Sequence, residues 1–312
     1  MKKILLQVVV FIISFLSVFY LIQWYANELD NDYQFKNANL ENKSSQIRIL
    51  CLGNSQTLYG INPGYFSMEG FNLAYVSQTL DIDNLLLEKY IPDLKNLEYI
   101  IVQVSYTSFF EILGYQPDAW RVRNYRRYYN INPPVDKTKE FDLLITSYRN
   151  NLLKIANKIK GHELVLCNEW GFETGYDSEN SLTDFTQSSD EAAGRHKAKS
   201  TDFLSDNIKN LESIIEKARK NNVNIILYTP PVHEMYLRKL DSLQLDMMYR
   251  EIRNILTSYD DVIYLDWSSN ADFYDADFYD SNHLNDKGAE KLTKKLDYFL
   301  VGNRREAAPL FQ

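Results

Sequence analysis

The sequence predicts an α/β chain: a three-layer α/β/α sandwich around a central parallel sheet, preceded by one N-terminal transmembrane helix. Two observations carry this. Between residues 47 and 299, short and nearly continuous apolar runs alternate with longer stretches whose apolar residues recur every three or four positions. That is the pattern of strands covered on both faces by amphipathic helices. Ahead of them, residues 4–26 carry no charge at all.

Taken in order, the N-terminal stretch is interrupted only by Gln7, Ser14, Ser17 and Gln23. About 20 such residues in a helix cross the hydrocarbon layer. A cleaved signal peptide is the alternative, but its apolar region runs about 7–15 residues and ends in a small-residue cleavage site. Here the run is longer and closes on Trp24 and Tyr25, residues suited to the membrane interface, so it reads as an uncleaved anchor over residues 1–26. Lys2 and Lys3 before the span, with Glu28, Asp30 and Asp32 after it, place the N-terminus in the cytoplasm and the remainder outside, in a periplasmic or extracellular space. Residues 27–45, rich in Asn, Asp and Lys, read as a polar tether.

Strands are expected at 47–52, 71–75, 99–104, 163–167, 223–228 and 262–265, and helices at 80–94, 141–159, 203–220, 240–256 and 286–299. In the 203–220 stretch, Phe203, Leu204, Ile208, Leu211, Ile214, Ile215 and Ala218 form one apolar stripe opposite charges. The domain spans 46–302, with an irregular insertion rich in Tyr and Arg around 109–200. Within it, residues 120–129 (WRVRNYRRYY) read either as a solvated helix face or as a cleft wall where Trp120 and Tyr125 stack on sugar rings. Residues 303–312 lack the domain's patterning and read as an appended tail.

Composition removes several classes. With 34 basic against 42 acidic residues and a net charge of −8, the chain lacks the clustered positive charge of a general nucleic-acid binder. Two cysteines, Cys51 and Cys167, make neither a disulfide framework nor a zinc finger, and read as buried free thiols. Four histidines leave little for a multi-metal centre, and no metal or cofactor is implied.

In parallel sheets chemistry collects at the C-terminal ends of strands. The first strand ends in Leu52-Gly53-Asn54-Ser55-Gln56-Thr57. A serine in such a turn can expose its hydroxyl as a nucleophile and direct its own N–H into the same space, although a simple turn with a capping side chain fits too. After the last strand comes Asp280-Ser281-Asn282-His283, where the carboxylate can fold back to orient the ring; a helix-start cap is the alternative. His233 follows another strand near the same edge, whereas His162 and His196 sit in polar surroundings and read as solvent-facing.

With these residues in place the sequence resembles the SGNH/GDSL hydrolase family. Gly53-Asn54-Ser55 is similar to the first family block with Asn54 in place of Asp, and Asp280-Ser281-Asn282-His283 to the last. Residues 71–79 stand for the second block, with Ser77 where glycine is usual, and Ser105-Tyr106-Thr107-Ser108 for the third, with Thr107 where asparagine is usual. The resemblance spans residues 47–299 and implies a nucleophilic Ser55, a base His283 oriented by Asp280, and oxyanion donors at Ser77 and Thr107; substrate contacts are expected at Asn54, His233, Trp120 and Tyr125. Together with the anchor it is similar to membrane-tethered members working beside membrane-bound O-acyltransferases. The expected activity is therefore a serine esterase or O-acyltransferase on acyl esters, acetyl foremost, of a cell-envelope glycan. The alternative is an inactive member that binds glycan or scaffolds such a partner.

Overall fold

The computed structural model describes residues 2–302; the expected tail at 303–312 lies outside the described residues. Helix α1 (Lys2–Glu28) is long and apolar enough to cross a membrane, with a mean hydropathy of 2.6 over its most apolar stretch and none of that stretch buried.

The expected tether at 27–45 is corrected. It contains helix α2 (Asp32–Lys43), whose N-terminus is capped by Asn31 accepting from the Gln34 N–H at 3.1 Å. Tyr33, Lys36 and Leu40 fall on one face and are buried. A lysine in a core position disguised that face. Lys36 is 0% exposed, donates from Nζ to the Ala74 carbonyl at 2.7 Å, and lies 4.2 Å from the centre of the Tyr75 ring.

Five strands form one parallel sheet: β1 (Ile49–Leu52), β2 (Gly70–Asn72), β3 (Tyr99–Gln103), β4 (Asn224–Thr229) and β5 (Ile263–Asp266), in the order β2-β1-β3-β4-β5. Alternate residues feed two cores. Leu50, Leu52, Ile100, Val102 and Leu227 pack with α4 (Leu80–Tyr90), α8 (Leu204–Lys220) and α10 (Ser242–Ser258). Ile49, Cys51, Ile101 and Ile226 pack on the other face with α11 (Asp286–Gly302). Burial on both sides, at about 1.5–3 kcal/mol for each large aliphatic side chain, is why these runs are continuously apolar.

The expected strand at 163–167 stands outside this sheet. Cys167 makes a single antiparallel bridge to Glu173, and Oδ1 of Asp32 accepts from the N–H groups of Leu166 (2.7 Å) and Cys167 (3.2 Å). A carboxylate thus satisfies donors that a ladder would otherwise need. Cys51 and Cys167 are free, buried thiols.

The region 109–200 holds α5 (Val122–Tyr128), α6 (Glu140–Ile159) and α7 (Thr186–His196). Tyr125 and Tyr129 of its basic, aromatic run are 0% exposed, packed edge-on against Tyr75. Helix α6 lies beside α1, with Tyr148 stacked on Phe19 at 4.7 Å and the Asn151 amide donating to Gln23 at 2.7 Å. Short helices α3 (Ser55–Gly60) and α9 (Glu234–Leu237), and the antiparallel pair β6 (Phe278–Asp280) and β7 (His283–Leu284), complete the frame.

Candidate active site

Strand β1 ends at Leu52, and Gly53 turns the chain at φ +145°, where a Cβ would stand 2.6 Å from that of Gln103. Asn54 then caps α3, accepting from the Gln56 N–H at 3.0 Å, and Ser55 heads the helix. Gln103, at the end of the neighbouring β3, fixes this turn. Its Oε1 accepts from the Asn54 N–H (3.1 Å) and the Thr57 hydroxyl (2.7 Å), while its Nε2 donates to Gln56 (2.8 Å) and Ser105 (2.9 Å). Ser55 therefore lies at the carboxyl edge of the sheet, between β1 and β3, where the strand order reverses.

The β6–β7 pair carries His283 to the same point. Its Nε2 lies 2.8 Å from Ser55 Oγ, and its Nδ1 lies 3.0 Å from both carboxylate oxygens of Asp280. With Nδ1–H donated to Asp280, Nε2 is free to accept from the serine hydroxyl. The Asn282 amide lies 3.2 Å from the same nitrogen. Asp280 Oδ1 also accepts from the N–H groups of Asn282 and His283, each at 2.9 Å. Burial raises the affinity of the Asp280 carboxyl for its proton, but the His283 hydrogen bond and charge, together with these N–H bonds, outweigh it and hold the carboxyl below its ordinary value. Tyr59 and Tyr176 meet the His283 ring edge-on, and Tyr176 is stacked between Tyr59 (3.7 Å) and Tyr279 (3.9 Å).

Ser55 opens into a cavity of about 510 Å³, its mouth included. Its walls combine polar Gln56, Ser105, Thr107 and Asn282 with apolar Tyr106, Val232, Leu240, Leu245 and Met248. His196 also lines it, with Nδ1 2.7 Å from the Tyr236 hydroxyl, which corrects the solvent-facing expectation. Burial, then the nearby His283 and Arg195, push His196 down to about 4, so it stays neutral at pH 7. His162 is exposed.

The other expected site residues divide. Asn54 and Thr107 line the Ser55 cavity. Ser77 does not: it adopts φ 60° and donates its hydroxyl to Asp118 at 2.7 Å. His233 has both ring nitrogens engaged, Nδ1 accepting from the Met235 N–H (3.2 Å) and Nε2 lying 3.1 Å from Asp275, with Phe185 stacked on the ring at 4.2 Å. Tyr125 is core, donating to Gln78 at 2.8 Å, and Trp120 faces a different cavity. Gln103 and Asn282 escaped the sequence reading, although a glutamine ending the apolar run YIIVQV marks a buried polar contact at the functional edge.

No curated protein matches the chain. A solved structure described as "a putative platelet activating factor from Streptococcus pneumonia" is similar at 13% identity and a TM-score of 0.42, covering 91% of this chain and 98% of that chain, and it lends the chemistry no support. The family model described as "Protein of unknown function (DUF1574)" matches residues 141–296, a span that includes Asp280 and His283. That match takes in half of the 312 residues, and the chain belongs to the DUF1574 family.

Proposed function

We propose that the protein is a membrane-anchored serine esterase or O-acyltransferase acting on acyl esters of a cell-envelope glycan, with its site outside the cytoplasm. The observation that carries this reading is the hydrogen-bonded series Ser55 Oγ, His283 Nε2, His283 Nδ1, Asp280 at 2.8 and 3.0 Å. Ser55 Oγ attacks the ester carbonyl as its proton passes to His283 Nε2, and Asp280 stabilises the imidazolium. Collapse of the tetrahedral intermediate returns that proton to the departing alkoxide and leaves an acyl-serine. Attack by water gives hydrolysis, and attack by a sugar hydroxyl gives transfer. The Ser55 N–H lies in the first turn of α3 with no in-helix acceptor, and Thr107 lines the same cavity, so this reading takes these two as oxyanion donors. The apolar residues of the lining suit the acyl group.

The second reading, an idle glycan-binding or scaffolding partner of a membrane-bound O-acyltransferase, draws on Ser77, whose hydroxyl is held by Asp118 and which does not line the cavity. Fluorophosphonate labelling of the purified chain separates the two. Modification at Ser55, lost in Ser55→Ala, is the expected result, and a folded chain that stays unlabelled favours the idle partner.

A further inference from the structure

The basic, aromatic run on α5 does not face Ser55. Arg123 and Arg127, one helical turn apart, open into a second cavity of about 1040 Å³ including its mouth. Its opposite wall is the end of α1, at Gln23, Ala26 and Asn27. Positive charge is in excess there: Arg123, Arg127 and Lys154 line the cavity against one carboxylate, Asp32. Among the described residues, no carboxylate ion-pairs with Arg123, Arg126 or Arg127, and the buried Nε of Arg126 has no partner. Asp32 lines the cavity, but its Oδ1 already accepts from Leu166, Cys167 N–H and Cys167 Sγ. Lys154 donates to the Ala26 (3.0 Å) and Leu29 (2.6 Å) carbonyls at the α1 terminus, which places another cation on the wall. Clustered like charges repel one another, and a bound anion removes that cost.

Position selects the anion. Trp24 and Tyr25, 53% and 45% exposed, end the apolar span within a turn of the cavity wall, at the depth of a membrane interface. Leu144, Ile145, Leu152 and Leu153 of α6, the helix packed beside α1, are exposed as well. We propose that this cavity holds the phosphate of an anionic phospholipid headgroup, with Arg123 and Arg127 as its ligands. The proposal rests on the reading of α1 as a membrane anchor, and is independent of the chemistry at Ser55.

The test is native mass spectrometry of the full chain released from detergent micelles in the presence of phosphatidylglycerol or phosphatidylcholine. The expected result is retention of phosphatidylglycerol over phosphatidylcholine. The Arg123→Gln/Arg127→Gln variant should weaken it roughly tenfold or more, as loss of charge-assisted bonds does. The control Lys209→Gln/Lys220→Gln, on exposed α8 lysines, should leave it unchanged, and circular dichroism confirms that both variants fold. Equal retention of the two lipids, or equal loss in both variants, overturns the proposal. Displacement of the lipid by inorganic phosphate or glycerol phosphate at equal concentration overturns the lipid source. Intact mass of the chain recovered from membranes reports separately on the anchor: a species lacking α1 breaks that reading, whatever the lipid result.

Discussion

The two cavities are built on opposite principles. The one at Ser55 is assembled from strand ends: Gln103 of β3 holds the turn after β1, and the β6–β7 pair delivers His283, so backbone ladders position each polar group and each is hydrogen bonded to another. The one beside α1 is walled by helices and carries three cationic side chains, Arg123, Arg127 and Lys154, against a single carboxylate, Asp32. The difference teaches where to look for chemistry and where for binding. A site that breaks and forms bonds needs its groups held in register with one another. A site that captures a charged group needs charge left unsatisfied until the ligand arrives.

The largest effect expected from breaking this contrast is at Ser55. Ser55→Ala should lower turnover of an aryl acetate by roughly 10⁴-fold or more, as loss of a nucleophile in such a unit does. Turnover within tenfold of the parent would remove Ser55 from the chemistry. Asp280→Asn should cost roughly 10³–10⁴-fold in kcat through the wrong His283 tautomer, with circular dichroism unchanged.

Smaller effects concern what supports the cavities. Burial, against the pull of nearby Cys167, Asp32 and Glu173, pushes the Lys36 ammonium down from 10.5 to about 8. Between those values the unfolded chain holds more protons than the folded one, so Lys36 makes stability rise with pH above about 8 and adds no slope below it. The rise should amount to roughly 2–3 kcal/mol by pH 10.5 and be absent from Lys36→Met, as read from denaturation of both chains at a series of pH values. Tyr125→Phe, which removes the bond to Gln78, should cost about 1–2 kcal/mol of stability and leave fluorophosphonate labelling intact. Trp120→Ala should change ester turnover least, by less than about twofold, because surface changes away from a site act weakly; a large loss of kcat/KM would join the two cavities into one functional surface.

Much of the fold was legible because doubly buried strands must be apolar throughout: runs such as IRILCL and YIIVQV admit little else. The approach of Asp280 and His283 to Ser55 was legible from strand-end position and a three-residue spacing. Other features were hidden for physical reasons. Helix α2 buries a lysine where a hydrophobe is expected, so residues 27–45 looked like solvent-exposed chain. His196 sits between Arg195 and Lys197 in the sequence, yet on a helix immediate neighbours point about 100° apart, and of the three His196 alone lines the cavity. Tyr125 is flanked by arginines in the same way, and occupies the inward face of α5.

The packed α2 alters how far the Ser55 cleft can reach. A flexible stretch of 19 residues would let the domain sweep a volume tens of ångströms across. Instead α2 spans about 18 Å as a rod, fastened by Lys36 to Ala74 and by Asp32 to Cys167, while Lys154 grips the end of α1. The cleft is thus coupled to the axis of α1 and cannot swing away from it, so whatever enters at Ser55 must come to the place this rod sets, as stock comes to a fixed spindle.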